Sequence, residues 1–164
     1  MKIIGIDPGT AATGFAILEN ENGDTRLLDF GCIRTSKALN QQTRLTQISN
    51  DLQEIIDKWK PEKAAVEKLF FQKNIKTAIS VAEARGVILQ KLNEENIETS
   101  EYTPLEIKSS LCGYGKADKK MVQHMVKLVL NLTVIPEPDD AADAMAAAIC
   151  LANNSILDKQ INPR

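Results

Sequence analysis

Two apolar runs separated by a short polar turn begin the chain. Residues 3–6 and 14–18 are apolar, and the turn sequence DPGT stands between them at positions 7–10. This pattern predicts a strand, a carboxylate, a tight turn and a second strand. Because the strand and the glycine turn hold Asp7 on rigid backbone at the edge of the sheet, its oxygens are predicted to be positioned for a ligand. The alternative is that Asp7 only caps a turn, since Asp-Pro and Pro-Gly are common turn dipeptides.

The rest of the pattern predicts helices that alternate with strands. A third strand is expected over 26–33 with Leu28, Phe30 and Cys32 on one face, and the short connections make the first three strands antiparallel neighbours. The later elements are a helix over 44–59, a strand over 64–67, a helix over 74–92, a strand over 97–102, a short helix over 104–110, a helix capped by Asp118, and an alanine-rich helix from Asp139 to about Asn153. This order predicts an α/β fold with a mixed five-stranded sheet and helices on both faces.

Small residues follow one line of the helix expected over 74–92. Ala78, Ala82 and Gly86 are four residues apart and therefore share a face. Such a line permits close packing, either against the sheet or against a second copy of the chain.

Length and composition are those of one ordinary globular domain. The chain has 164 residues, 43% hydrophobic and 26% charged, with no apolar run long enough to cross a bilayer. We expect a single domain over 1–157 and a C-terminal tail over 158–164. An acidic residue stands where a signal peptide would carry its apolar region, so we expect a cytoplasmic protein. The three cysteines lack the spacing of a zinc site and are predicted to be small core residues: Cys32, Cys112 and Cys150.

The charges are balanced overall but not locally. Twenty Lys and Arg residues against twenty-two Asp and Glu residues leave a net charge of −2, which by itself predicts no polyanionic partner. Residues 104–127 contain five lysines but only two acids, an excess of three positive charges: Lys108, Lys116, Lys119, Lys120 and Lys127 against Glu106 and Asp118. This segment is either a basic face or simply the solvated side of a helix.

Four carboxylates are candidates for one site. Asp7 and Glu67 each end a predicted strand, while Asp140 and Asp143 are three residues apart and share a face at the start of the last helix. The alanines that follow leave little side-chain bulk, so this helix is able to lie close to the sheet and bring both acids to the strand ends. The alternatives are that the helix dipole favours these acids and that Glu67 is a solvated loop residue. Asp139 adjoins the pair and is barely distinguishable from Asp140 by sequence.

Four carboxylates in one pocket require a counter-ion. Unpaired, they would repel one another and raise one another's pKa. Magnesium relieves this repulsion, because it takes oxygen ligands and leaves coordination positions for water and phosphate. Two such ions about 4 Å apart activate water on one side of a phosphodiester and stabilise the leaving oxygen on the other. This chemistry needs neither a nucleophilic side chain nor a histidine.

Four segments together resemble the RuvC family of Holliday junction resolvases. They are IGIDPGTAATGFAI, AVEKLFFQKN, GYGKADKKMVQHMV and DDAADAMAAAI, they occur in family order, and the resemblance runs from Met1 to about Asn153. It implies the RNase H-like fold and a homodimer that binds four-way DNA junctions and nicks two strands of like polarity with Mg²⁺, for which Mn²⁺ is an expected substitute. It also implies work beside the junction-binding protein RuvA and the branch-migration helicase RuvB.

The resemblance assigns roles to individual residues. Asp7, Glu67 and Asp140 match the metal-binding acids, and the fourth catalytic position falls on Asp143. Some members carry histidine there. Because this chain carries aspartate instead, a general-base imidazole at this position is excluded. Phe70 matches an aromatic residue that stacks on junction bases, although two adjacent phenylalanines are often both core residues. The basic residues matched near the scissile phosphate are Lys108 and Lys119, with supporting phosphate contacts from Lys73, Lys76, Lys116 and Lys120.

Three other functions are compatible with parts of the pattern. An actin-like ATPase shares the DPGTAATG hairpin but needs a second such domain and a second phosphate loop. An RNase H-like nuclease acting on an RNA precursor shares the acids, but the KLFFQKN and GKADKK segments favour junction DNA. A junction binder without catalysis is disfavoured because all four acids are intact. His124, the only histidine, is expected to be structural or to contact the DNA backbone.

Overall fold

Five strands form one mixed sheet at the centre of the chain. In the computed structural model, which describes residues 1–21, 23–69 and 75–161, they are β1 (Lys2–Asp7), β2 (Ala12–Glu21), β3 (Asp24–Arg34), β4 (Lys63–Glu67) and β5 (Glu98–Tyr102). The strand order is β3-β2-β1-β4-β5. The first three strands are antiparallel neighbours, whereas β4 lies parallel to β1 and β5 lies parallel to β4.

Five helices cover this sheet over the described ranges. They are α1 (Gln41–Trp59), α2 (Ile75–Glu94), α3 (Pro104–Cys112), α4 (Lys119–Val129) and α5 (Asp139–Ile161). Side chains satisfy the first backbone N–H groups of three helices, since Asn40, Thr103 and Asp118 accept hydrogen bonds at the N-termini of α1, α3 and α4. Every predicted strand and helix is present here in the predicted order. None of the described helices is long and apolar enough to span a membrane.

The two faces of the sheet carry separate cores, because alternate strand residues point to opposite sides. Ile4 and Ile6 of β1 pack with α1 and α2, whereas Ile3 packs in the core that α3, α4 and α5 cover. At Gly5 the carbonyl oxygen of Ala144 occupies the space that a side chain would need. The alanine-rich α5 therefore lies directly against the sheet, as its composition predicted.

The prediction that three residues of β3 share a face is wrong. A β-bulge at Leu28 interrupts the alternation, because Leu27 and Asp29 on either side of it pair with adjacent residues of β2. Leu28 packs in the core with α1, whereas Cys32 contacts Asp140 on the opposite face. A bulge adds one residue to one strand, and this shift reverses every later side chain.

Helix α5 is longer than predicted. It continues to Ile161 instead of ending near Asn153, because neither glycine nor proline occurs between those residues. The predicted start of the tail at residue 158 therefore lies inside this helix.

Candidate active site

Two parallel strands bring Asp7 and Glu67 to the same edge of the sheet. In the pairing of β1 with β4, Ile6 lies opposite Val66, and each strand then ends on its acid. Ile6 and Val66 both point toward α1 and α2. The period of two along a strand therefore directs both following acids to the other face, which α5 covers.

Helix α5 begins directly over β2, at the residue of β2 that pairs with Asp7. Gly14 of β2 lies opposite Asp7, and the backbone of Asp140 fills the space above Gly14. Cys32 pairs with Gly14 from the other side, and its Sγ lies 4.0 Å from Oδ2 of Asp140. The first turn of α5 is thus held over the carboxyl end of β1.

Burial raises the pKa values of Asp7, Glu67 and Asp143, and repulsion between the carboxylates adds to it. Burial raises the pKa of Asp7 to about 8, and the charges of Glu67, Asp143 and Asp140 add to that effect. Burial also raises the pKa of Glu67 to about 7, with a further contribution from the charge of Asp143. The pKa of Asp143 is raised by burial, which Lys119 partly offsets. The four predicted acids therefore share one electrostatic environment in which full ionisation is unfavourable.

A cavity of about 220 Å³ opens beside these acids. Glu67 and Asp143 line it together with Lys108 and Lys119, so two acids and two bases face the same space. Lys119 makes two ion pairs, with Nζ lying 3.1 Å from Oδ2 of Asp139 and 3.3 Å from Oδ2 of Asp143. Two of the predicted phosphate-binding lysines thus lie next to the acids.

Asp139 and Asp140 are clearly separated by their surroundings. Asp139 is largely exposed, accepts a hydrogen bond of 2.8 Å from Nε2 of Gln123, and its ion pair with Lys119 lowers its pKa. Asp140 is half-buried and contributes its charge to the environment of Asp7. Of these two neighbours, Asp140 is therefore the one whose charge raises the pKa of Asp7.

The donor set fits a hard divalent cation in its chemistry. It includes Asp7 and Glu67, whose pKa values are raised by burial and by neighbouring carboxylates, and a cation relieves this cost. As the side chains stand, no three His, Cys, Asp or Glu residues in the described part of the chain are arranged to hold a metal ion. Asp143 is also engaged by an ion pair with Lys119. Binding of a cation would therefore require these side chains to turn and Asp143 to leave Lys119.

Of the remaining predicted DNA-binding residues, the two whose side chains are described do not line this cavity. Phe70 and Lys73 lie outside the described residues, and so does the side chain of Lys76. Lys116 and Lys120 are exposed, on the loop before α4 and on α4 itself. His124 is also exposed on α4.

Sequence reasoning missed the contact between Cys32 and the acid cluster. Cys32 was predicted to be a small core residue, yet it is half-buried with its thiol toward Asp140. This contact follows from the strand register, in which Cys32, Gly14 and Asp7 form one row across β3, β2 and β1. That row is visible only once the pairing is known.

The similarity of the chain to known proteins covers almost all of its length. The family model of the crossover junction endodeoxyribonuclease RuvC matches residues 3–151. The RuvC protein of Halothermothrix orenii is 48% identical over 160 residues, which cover 98% of this chain and 97% of that protein. The RuvC protein of Chloroflexus aurantiacus is 50% identical over 152 residues, or 93% of each chain.

A solved structure agrees with the architecture as well. The RuvC protein of Thermus thermophilus, in complex with a Holliday junction substrate, has a TM-score of 0.91 at 31% identity and covers 96% of both chains. The RNase H-like fold expected from the resemblance is thereby confirmed, with its mixed five-stranded sheet. The chain belongs to the RuvC family of crossover junction endodeoxyribonucleases.

Proposed function

We propose that this protein is a Holliday junction resolvase that makes paired, symmetric nicks in two strands of like polarity at four-way DNA junctions. The observation that supports it best is the shared electrostatic environment of Asp7, Glu67, Asp140 and Asp143 at one sheet edge, in a chain of the RuvC family. Thermus thermophilus RuvC, with the same fold, is in complex with such a junction.

The proposed cofactor is Mg²⁺, with two ions per site and Mn²⁺ as a substitute. RuvC proteins are metal-dependent nucleases, and the raised pKa values of Asp7 and Glu67 describe carboxylates that a cation would stabilise in their ionised form. The residues proposed to hold it are Asp7, Glu67, Asp140 and Asp143. When bound, the metal supplies activation of water and stabilisation of the leaving oxygen.

The remaining work falls to residues of the chain itself. Lys108 and Lys119 line the cavity beside Glu67 and Asp143, where their charges attract a phosphate of the DNA backbone. Lys119 exchanges Asp143 for that phosphate when the substrate arrives. Because the family position that is histidine in some members is Asp143 here, proton transfer at this position involves a carboxylate and not an imidazole.

The protein is proposed to act as a homodimer through helix α2. Ile79 is 60% exposed, Ala82 and Gly86 are exposed on the same face, and no other element among the described residues comes within 4 Å of a Cβ built on Gly86. Such a flat, small-residue face suits an isologous contact with a second copy. Two copies related by a twofold axis present two sites, as paired nicking requires.

Several finer assignments belong to the same proposal. Phe70 would stack on junction bases, while Lys73, Lys76, Lys116 and Lys120 would contact phosphates. RuvA and RuvB are proposed as partners, and the cytoplasm as the location.

The decisive experiment compares a four-way junction with linear duplex and RNA–DNA hybrid substrates in Mg²⁺. Paired nicks confined to the four-way substrate support the proposal, whereas cutting of the hybrid alone would favour an RNA-processing nuclease. The variant Asp7→Asn tests the metal site, because it should bind the junction and fail to nick it. Normal nicking by Asp7→Asn would overturn the assignment of the four acids.

A further inference from the structure

A chain of buried and partly buried hydrogen bonds connects the turn that follows Asp7 to helix α2. Thr10, in this turn, is only 5% exposed. Its hydroxyl donates a 2.6 Å hydrogen bond to the carbonyl oxygen of Ser80, near the start of α2. Gln41 of α1 also approaches that carbonyl, with its Nε2 3.5 Å away.

The backbone carbonyl of Thr10 is hydrogen-bonded as well. The hydroxyl of Thr35, itself 7% exposed, donates a 2.6 Å hydrogen bond to the carbonyl oxygen of Thr10. Nε of Arg44 donates to the hydroxyl oxygen of Thr35 at 2.8 Å, and the backbone N–H of Thr35 donates to the carbonyl oxygen of Ala11. The turn is therefore fixed between α2, α1 and the end of β3.

The bond to Ser80 is not needed to complete α2. A carbonyl oxygen inside a helix accepts its hydrogen bond from the helix and still has a second lone pair for another donor. The Thr10 hydroxyl uses this capacity, so the bond joins the turn to α2 without replacing a hydrogen bond of the helix. Its partner carbonyl also belongs to the residue after Ile79, the exposed apolar side chain of the same helix.

We propose that Thr10 is a positioning residue, which fixes the Asp7 turn against helix α2 and so joins the catalytic acid to the dimer contact. This inference rests on the proposed function, because it uses the α2 face as the contact between copies. Thr10 acts through Asp7 and through the backbone of the turn. A small displacement of Asp7 is sufficient to cost much of the rate, since misplacement by about 1 Å lowers turnover by up to about 100-fold.

The first test compares three variants of the turn. Thr10→Val removes the hydroxyl and keeps the shape, Thr10→Ser keeps the hydroxyl, and Thr13→Val is the matched control. Thr13 also bonds within this hairpin, donating to the carbonyl oxygen of Gly9 at 2.5 Å, but this bond does not reach α2. Junction binding without divalent metal and single-turnover nicking with Mg²⁺ are measured for each variant.

The expected result separates binding from chemistry. Thr10→Val should bind the junction like the wild type and nick it at least about tenfold more slowly. Thr10→Ser should recover most of this loss, and Thr13→Val should lose clearly less than Thr10→Val. Nicking by Thr10→Val at the wild-type rate, or equal losses in Thr10→Val and Thr10→Ser, would overturn the inference.

The second test uses the wild-type protein, so it does not depend on a variant folding. Hydrogen exchange of the backbone amides at residues 9–12 is followed while the protein is diluted from dimer to monomer. Exchange in this turn should speed up on dissociation, since α2 would lose its partner and loosen its hold on Thr10. Unchanged exchange across the transition would contradict the coupling. A wild-type protein that makes no paired nicks would defeat the proposed function instead, and the two failures are thus distinguishable.

Discussion

The carbonyl oxygen of Asp140 occupies the space that a side chain at Gly14 would need. Gly14 pairs with Asp7 across the β1–β2 hairpin, so this close approach sets the distance between the start of α5 and the strand end that carries Asp7. Gly14 therefore allows the first turn of α5 to approach the end of β1, as Gly5 does for the following turns.

The substitution Gly14→Ala should push the start of α5 away from the sheet. Overpacking of this kind costs about 1 to 3 kcal/mol of unfolding free energy, and the displaced acids should lower nicking by about 100-fold. Urea denaturation and single-turnover nicking measure the two effects. The matched control is Gly31→Ala, whose new Cβ would lie 2.9 Å from a ring carbon of Phe15, a side chain that is able to shift. The control should lose some stability and keep its rate, and a normal rate in Gly14→Ala would refute this role.

The stability of the metal-free protein should fall as pH rises, because Asp7 and Glu67 keep their protons to a higher pH in the folded state than in the unfolded state. Burial and neighbouring charges raise the pKa of Asp7 from 3.8 to about 8, and that of Glu67 from 4.5 to about 7. The folded state therefore holds more protons than the unfolded state between those values. The contribution of Asp7 is fully present below pH 3.8 and is lost as pH rises through about 8.

The substitution Asp7→Asn should accordingly stabilise the metal-free protein in alkaline solution. We expect a gain on the order of a few kcal/mol at about pH 8 that disappears toward about pH 4, measured by urea denaturation in a chelator. Asp139→Asn is the control, because Asp139 is exposed and its ion pair with Lys119 lowers its pKa. A loss of stability in Asp7→Asn at alkaline pH would show that its carboxylate is not destabilising.

The strand-end acids could be predicted from sequence for a simple physical reason. A buried parallel strand and the period of two along it determine where the next residue lies. The positions of Asp7 and Glu67 therefore followed once the two strands were recognised. The closeness of α5 followed in the same way from its alanines. The features that could not be predicted depend on which segments of the chain pair or pack together. The bulge at Leu28, the pairing of Lys119 with Asp143 and the row of Cys32 beside Gly14 all require the register or the packing between distant segments.

Binding of a divalent cation should release protons from the acid cluster. Asp7 and Glu67, with raised pKa values, must lose their protons before they act as ligands. The apparent affinity for Mg²⁺ should thus rise from about pH 6 to about pH 8, by up to about tenfold per pH unit for each proton released. Calorimetry in two buffers of different ionisation enthalpy counts these protons. Asp7→Asn should release fewer, and an affinity independent of pH would contradict the raised pKa values.

Binding to a four-way junction should weaken steeply with added salt. Although the net charge of the chain is −2, Lys108 and Lys119 face the cavity beside the acids, and contacts with phosphates release counter-ions. The logarithm of the affinity should fall linearly with the logarithm of salt concentration, and Lys108→Met should reduce the slope by about one. A flat salt response would contradict the proposed phosphate contacts of Lys108 and Lys119.

Lys119 should compete with metal for Asp143 in the DNA-free protein. Burial tends to lower the pKa of Lys119, but its hydrogen bonds and charge contacts with Asp139 and Asp143 outweigh burial and raise it. This ammonium group stands where a cation would neutralise the same carboxylate, so Lys119→Met should bind Mg²⁺ more tightly in the absence of DNA. The same variant should nick junctions more slowly, because it has lost a phosphate contact. Lys120→Met, which changes the next and exposed residue of α4, should leave the metal affinity unchanged. Weaker metal binding by Lys119→Met would mean that Lys119 helps to organise the acids and does not compete for them.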